Sequence, residues 1–208
     1  MPVSRRAALI GASATLLLPS CAEADTALAR TPSETEGPYY PVDTAIEHDA
    51  DLTRLAGRTE RALGQVIELA GRVLDTNGAP VAGARLELWQ ANAAGRYMHP
   101  RDRSAAPLDP NFQGYALLRT DAAGRFSIIS VKPGAYRMGR DQRTPHLHWK
   151  IESGARRLTT QMYFPGEALN DSDTLMRRMR DARPLIAEPA AAQDADALGL
   201  AWTIVLPG

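Results

Sequence analysis

The feature of this sequence that most constrains its fold is the regular alternation of short apolar stretches with turn-forming residues. From Val66 onward the apolar stretches have strand length, and segments rich in glycine, proline or asparagine separate them. One of these segments contains Asn77-Gly78, which tolerates the positive φ angles of tight turns. The predicted strands lie at residues 71–75, 84–89, 125–131, 146–151 and 201–206. Short strands with turns between them predict an all-β fold, an antiparallel β-sandwich rather than an α/β fold.

The chain of 208 residues is long enough for one core with appendages. We predict a leader and linker over residues 1–30, an N-terminal arm over residues 31–65 and a sandwich domain over residues 66–208. Helical spacing occurs only in Ser172–Arg183, where Leu175 and Met179 are four residues apart. The expected architecture is therefore a sandwich with an arm and one short helix.

The first residues have the pattern of an export signal. Arg5 and Arg6 precede an apolar run that ends at Leu18, too short to span a bilayer as a mature helix. The paired arginines resemble a twin-arginine signal. Cys21, the only cysteine, directly follows the run at a position that resembles a lipoprotein attachment site. We therefore expect an exported protein, either periplasmic or anchored to the membrane through a lipid on Cys21.

The charge balance excludes one class of partner. The 24 basic and 24 acidic side chains give a formal net charge of zero, so the chain lacks the basic character of a nucleic-acid-binding protein. A small neutral or aromatic ligand is expected instead.

Two of the four histidines occupy alternate positions in Pro145-His146-Leu147-His148. On a strand, residues i and i+2 share a face and stand roughly 6.5 to 7 Å apart, so both imidazoles can reach one metal ion at about 2.1 Å from each nitrogen. Two hydrogen-bonded surface histidines would give the same pattern.

The remaining ligands of such a site are not fixed by spacing. The carboxylates nearest in sequence, Asp141 and Glu152, do not fit the two-histidine, one-carboxylate triad of ferrous oxygenases. Tyr97 and Tyr136 each follow a turn, and phenolate is a hard donor that would favour ferric iron over zinc. Aromatic rings packed at the edge of a sandwich would explain the same tyrosines.

Six segments, in order, resemble those of the intradiol ring-cleavage dioxygenases, above all the iron-bearing subunit of the protocatechuate 3,4-dioxygenases. The similarity covers about residues 31 to 170. The segments are Thr35-Glu36-Gly37-Pro38-Tyr39, residues 71–97 with Trp89-Gln90-Ala91-Asn92 at their centre, Leu108-Asp109-Pro110-Asn111-Phe112, Lys132-Pro133-Gly134-Ala135-Tyr136, Arg143-Thr144-Pro145-His146-Leu147-His148, and Gln161-Met162-Tyr163-Phe164-Pro165-Gly166.

The resemblance implies a transthyretin-like sandwich core and a non-haem Fe(III) ion held by Tyr97, Tyr136, His146 and His148. The substrates implied are a catechol-type diol and O2, and the product is a muconate. The Tyr136 phenolate would be displaced by the diol and accept a proton.

Four further positions match residues around the substrate in this family. Arg143 would stabilise negative charge on the ring, and Gln161 would lie beside the same site. Pro38 and Tyr39 would line the substrate pocket, although a rigid arm on the core explains them as well, and a surface salt bridge would explain Arg143. The resemblance leaves the oligomeric state open, and a homo-oligomer is compatible with it.

Two other functions fit parts of the pattern. Residues 71–88 also resemble transthyretin-like accessory domains, which bind without catalysis. His146 and His148, with His99, would suit a zinc hydrolase in which water completes the coordination. Colour distinguishes these alternatives, because ferric tyrosinate is red-brown and zinc proteins are colourless.

Overall fold

A computed structural model describes residues 27–44 and 47–207. The predicted export signal and Cys21 lie outside these residues. The structure contains ten strands and one α-helix. The strands are β1 (Val66–Leu74), β2 (Arg85–Trp89), β3 (Tyr115–Arg119), β4 (Arg125–Val131), β5 (Tyr136–Met138), β6 (Asp141–Arg143), β7 (His146–Ser153), β8 (Arg156–Tyr163), β9 (Glu188–Pro189) and β10 (Leu198–Val205), and the helix is α1 (Thr174–Arg178).

Two four-stranded sheets form the sandwich, in the orders β4-β1-β10-β9 and β3-β2-β7-β8, and β5 and β6 form a separate hairpin. The predicted antiparallel β-sandwich is thus confirmed. One pairing differs, because β1 and β10 run parallel. These strands come from the two ends of the domain, so no tight turn joins them and their relative direction is free of the hairpin constraint.

The core lies between the two sheets and follows the period-2 alternation of the strands. On β7, Leu147, Trp149 and Ile151 are fully buried in the core cluster. The intervening residues of β7, which begin with His146 and His148, therefore project from the opposite, outer face of their sheet. That outer face carries the site described below.

The arm covers this outer face. Glu34 donates its backbone N–H to the carbonyl of Thr159 on the edge strand β8 (2.8 Å). Further along the arm, Glu36 forms an ion pair with Lys150 (2.9 Å), and the Tyr40 ring meets Trp89 edge to face at 5.1 Å. Polar side chains of the sheet that would otherwise face water are enclosed as a result.

The predicted helix at Ser172–Arg183 is shorter than expected. Helix α1 has five residues, and it ends where Met179 adopts an extended conformation (ψ 143°). Only Met176 of α1 is buried, and Met179 packs against the core from outside the helix. One buried side chain gives little amphipathic packing to propagate a longer helix. None of the helices among the described residues has the length and apolar character needed to cross a bilayer.

Candidate metal centre

Two phenols and two imidazoles converge on the outer face of the β3-β2-β7-β8 sheet. His146 and His148 project from β7, with their Nε2 atoms 3.2 Å apart. The Tyr136 hydroxyl lies 3.3 Å from His146 Nε2. The Tyr97 ring lies 5.3 Å from the Tyr136 ring and 6.1 Å from the His148 ring. The structure therefore brings together all four predicted ligands, and neither histidine is a surface residue, since each is 2% exposed.

Close contact between two loops places the tyrosines side by side. Tyr97 follows Gly95 and Tyr136 follows Gly134, each by two residues. Gly134 donates its N–H to the Asn92 carbonyl (3.0 Å). A Cβ atom at Gly134 would lie 2.6 Å from Gly95 N, so the two backbones can approach this closely only with glycine.

Hydrogen bonding fixes the orientation of one imidazole. His146 Nδ1 lies 2.6 Å from the Thr144 carbonyl oxygen. Because a carbonyl only accepts, Nδ1 carries the proton, and the lone pair of Nε2 points toward His148 and Tyr136. This arrangement is the one that presents a metal-binding nitrogen.

The spacing of these donor atoms fits a cation. Two ligands about 2.1 Å from one ion and at right angles to each other stand about 3.0 Å apart. The separations of 3.2 Å between the imidazole nitrogens and 3.3 Å from the Tyr136 hydroxyl are close to this value. In addition, the buried Tyr97 hydroxyl makes no hydrogen bond of ordinary geometry, and the Tyr136 phenol is the neighbouring polar group that acts on it. A buried hydroxyl without a good partner is costly unless another group uses it. The residues present thus fit a bound metal ion.

Burial favours the neutral form of all four groups when no cation is bound. Burial, together with the charge of Arg143, lowers the pKa of His146 to about 3. Burial, followed by His146 and Arg143, holds the pKa of His148 well below its ordinary value. Burial raises the pKa of Tyr97 and of Tyr136. At neutral pH the centre therefore offers two neutral imidazoles and two phenols, and a cation that binds it must displace the phenol protons.

Arg143 supplies a fixed positive charge beside the centre and is not the surface residue that a simple salt bridge would need. It is 2% exposed, and its Nε donates to Asp173 Oδ2 (2.8 Å). Its Nη2 donates to Gln161 Oε1 (2.7 Å), which also accepts from Tyr163 (3.2 Å). Burial opposes the positive charge, but Tyr136 and Asp173 more than offset this effect and raise the pKa of Arg143.

The arm forms the wall of the centre on the side of Tyr97. The Tyr39 ring lies 4.7 Å from the Tyr97 ring and 6.2 Å from the Tyr136 ring. Gly37 (φ +73°) approaches His148 so closely that a Cβ would lie 3.2 Å from the ring carbon Cε1. Pro38, between Gly37 and Tyr39, is half-buried. Pro38 and Tyr39 thus lie where a ring bound at the centre could meet them.

Two residues of the site were not predicted from the sequence. Trp89 stacks on the His148 ring at 5.0 Å with an interplanar angle of 9°. The available signal was its place at the centre of the segment 71–97, which resembles the family. Asp173, rather than Asp141 or Glu152, is the buried carboxylate that pairs with Arg143 beside the centre, and the available signal was its place directly before a helix, which is typical of an N-cap.

The zinc site proposed as an alternative is not formed. His99 lies beside the arm, with its ring 5.7 Å from that of Tyr39, and its Nδ1 accepts a hydrogen bond from the Arg101 N–H (3.1 Å). Within residues 27–44 and 47–207, no three histidine, cysteine, aspartate or glutamate side chains group as a metal site. A metal ion held by His146 and His148 would therefore need donors of another kind, which the two tyrosines could provide.

Comparison with known proteins identifies dioxygenases as relatives of this chain. A family model described as "Dioxygenase" matches residues 35–208. The protocatechuate 3,4-dioxygenase beta chain of Burkholderia cepacia is 41% identical over 180 residues, which are 82% of this chain and 77% of that protein. Catechol 1,2-dioxygenase 2 of Acinetobacter lwoffii is 33% identical over 66% of this chain and 52% of its own length, so the chain spans about half of that relative. The solved dioxygenase domain of a carbohydrate-binding fusion protein from Streptomyces sp. SirexAA-E superposes with a TM-score of 0.66 at 27% identity, over 86% of this chain and 99% of that one.

Proposed function

The chain belongs to the intradiol ring-cleavage dioxygenases, a family of oxidoreductases, and we propose that it cleaves a catechol between its two hydroxyl-bearing carbons at a non-haem ferric ion. The ligands we assign are Tyr97, Tyr136, His146 and His148. The observation that carries this assignment is the convergence of two phenols and two neutral imidazoles in one cluster, in which Tyr97, His146 and His148 are buried and Tyr136 is half-buried. Family membership favours this function over both the accessory domain and the zinc hydrolase.

The metal and the protein would contribute different parts of the chemistry. When bound, Fe(III) would act as a Lewis acid and template that activates the diol toward O2. The protein would supply the protonation states. Once a bound cation has displaced its proton, the Tyr136 oxygen, which lies 3.3 Å from His146 Nε2, would be able to accept the proton that a catechol hydroxyl loses on binding. The product would be a muconate, a ring-opened chain in which both atoms of the O2 molecule are incorporated.

Arg143 would stabilise the negative charge that develops on the ring. A guanidinium cannot lose its proton at ordinary pH, so it acts as a fixed charge and not as a base. Gln161 Oε1 accepts a hydrogen bond from Arg143 Nη2 (2.7 Å) and so holds the guanidinium in one orientation. A preorganised charge of this kind is most effective in a buried site, and Arg143 is buried.

Pro38 and Tyr39 would line the substrate pocket. The Tyr39 ring already lies within stacking distance of Tyr97 (4.7 Å), so an aromatic substrate would meet an aromatic wall. The backbone of the arm at Gly37 packs against the His148 ring and so keeps water away from it.

Three measurements on purified protein test the proposal. We expect about one iron per chain, a red-brown colour, and O2 uptake with catechol, protocatechuate or hydroxyquinol, with a muconate identified by its spectrum. Tyr136→Phe should keep the fold and much of the iron but slow turnover, because the proton acceptor is lost. His146→Ala should lose the metal. Full activity of His146→Ala would refute the ligand assignment.

We also propose that the protein is exported and carries a lipid on Cys21. The support is the paired Arg5-Arg6, the apolar run to Leu18 and the cysteine that follows it. Membrane fractionation of wild-type and Cys21→Ala protein tests this. Equal release of both into the soluble periplasmic fraction would exclude the lipid anchor.

A further inference from the structure

Asp173 lies at a junction between helix α1 and the candidate metal centre. It is 0% exposed, and each of its carboxylate oxygens accepts two hydrogen bonds. Oδ1 caps the helix by accepting from the N–H groups of Leu175 (2.9 Å) and Met176 (3.3 Å). Oδ2 faces the other way, and it accepts from Arg143 Nε (2.8 Å) and from the Thr144 N–H (3.0 Å). The two oxygens therefore have separate roles, one in the helix and one toward the site.

Both donors to Oδ2 lead directly to groups of the centre. Arg143 continues through Nη2 to Gln161 Oε1 (2.7 Å). The backbone of Thr144 continues from this N–H across its Cα to its carbonyl oxygen, which accepts from His146 Nδ1 (2.6 Å). One carboxylate oxygen is thus one hydrogen bond from Arg143 and two from the imidazole of His146.

We propose that Asp173 is a positioning residue that fixes both the guanidinium of Arg143 and the imidazole of His146. This inference rests on the proposed function. The physical need is clear for Arg143, because a buried cation without a counter-charge is strongly unfavourable and would turn toward water. It is equally clear for His146, because the groups that hold a ligand histidine set its tautomer and ring orientation.

No other carboxylate takes this place in the part of the chain that the structure describes. Asp173 is the one carboxylate there that forms an ion pair with Arg143. Asp141, two residues before Arg143, is exposed and instead accepts from the hydroxyl of Thr174 (3.1 Å). Loss of the Asp173 charge would therefore leave Arg143 hydrogen-bonded only to the neutral groups of Gln161 and Tyr163, with the half-buried carboxyl of Glu34 acting on it through space.

Asp173→Asn separates the two roles. Asparagine keeps an oxygen that can cap the helix, but its NH2 group cannot accept from Arg143 or Thr144. We expect the folded variant to lose at least tenfold in kcat with little change in KM, since Arg143 would act on the charge that develops during the reaction. We also expect roughly 10- to 100-fold weaker iron retention against a chelator and a shifted visible absorption band.

A matched control is Asp109→Asn. Asp109 is also a buried aspartate that accepts backbone hydrogen bonds on both oxygens, from Leu63 (2.7 Å) and Asn111 (2.9 Å), but it contacts no residue of the centre. This variant should lose stability while it keeps the turnover, iron retention and absorption band of the wild type. If Asp173→Asn behaves like this control, the inference is wrong.

A double variant tests the route through Arg143. In an Arg143→Met background, Asp173→Asn should reduce kcat by less than twofold but still weaken iron retention, because the connection through Thr144 to His146 remains. Full additivity in kcat would show that Asp173 does not act through Arg143.

Iron-free wild-type protein provides a test that needs no variant to fold. The Arg143 Hε and the Thr144 amide proton should exchange slowly with solvent in NMR spectra. Exchange at the rate of an exposed guanidinium and amide would overturn the inference. If the wild type binds no iron, the proposed function fails, and these two exchange rates still decide whether Asp173 holds Arg143 and Thr144.

Discussion

Replacing Gly134 with alanine should weaken iron binding more than it weakens the fold. Gly134 lies where the Tyr97 loop and the Tyr136 loop touch, and an added Cβ would lie 2.6 Å from both Ala93 O and Gly95 N. Both are backbone atoms, so no side chain can turn aside. To reach the 3.4 Å of an ordinary contact from 2.6 Å, the loops must part by about 0.8 Å.

The size of the effect follows from this displacement. Overpacking of this kind costs about 1–3 kcal/mol in the free energy of unfolding. Ligands of a functional centre must be held within about 0.5 Å, so a separation of 0.8 Å between two tyrosine-bearing loops exceeds the tolerance. We therefore expect iron affinity to fall by roughly 10- to 100-fold, measured by chelator competition, with loss of the visible band.

Gly139→Ala is the control for this experiment. Gly139 lies in the turn between β5 and β6, with φ +65°, and an added Cβ there would meet no atom within 4 Å. Alanine at this position costs about 1–2 kcal/mol from the left-handed conformation alone, but it leaves the tyrosine loops in contact. Wild-type iron affinity in Gly134→Ala, or an equal loss in both variants, would refute the role of this contact.

Two other changes test the arm. Glu87 is buried on β2, and its carboxylate accepts hydrogen bonds from the hydroxyls of Tyr40 (2.5 Å) and Tyr115 (3.0 Å). Burial alone would raise the pKa of Glu87. The hydrogen bonds, first the one from Tyr40, outweigh this effect and hold the pKa below its ordinary value. A depressed pKa in the folded state stabilises the protein above the unfolded value of about 4.3, and this stability is lost as the pH falls through the folded pKa. The free energy of unfolding of Glu87→Gln at pH 7 should therefore be about 1–3 kcal/mol lower than that of the wild type. Denaturant titrations at several pH values should also show that this free energy falls less steeply toward acid pH in the variant, and a fall as steep as in the wild type would contradict the prediction. Gly37→Ala should raise KM for catechol several-fold in steady-state O2 uptake, because alanine strains φ +73° and meets His148 Cε1 at 3.2 Å, and a wild-type KM would show that the arm does not shape the pocket.

The strand pattern was readable from the sequence because each strand has one face in the core. The segment at 125–131 coincides with β4, and the histidine strand begins at His146 as predicted. β3 and β8 were not predicted. On β3 only Tyr115 and Ala116 are buried, and on β8 a run of buried residues, Thr160–Tyr163, hides the alternation.

The residues of the site also fall into those that a local sequence pattern predicts and those that depend on tertiary packing. Alternation on one strand was enough to predict that His146 and His148 share a face. The pairing of Tyr97 with Tyr136 depends instead on contact between loops 39 residues apart in sequence, and only the resemblance to a family connected them. Asp173 could not be linked to Arg143 because the segment between them contains two strands and two turns whose packing no local pattern encodes.

The position of the centre on the outer face of a sheet explains why the arm belongs to the site. In an ordinary sandwich this face is solvated, and imidazoles there would titrate near pH 6.5. Under the arm, burial is the first cause both of the lowered pKa values of His146 and His148 and of the raised pKa values of Tyr97 and Tyr136. Four neutral donors favour a cation whose charge is high enough to offset the loss of two phenol protons. The enclosure made by the arm would thus contribute to the preference for a trivalent ion as directly as the ligands themselves.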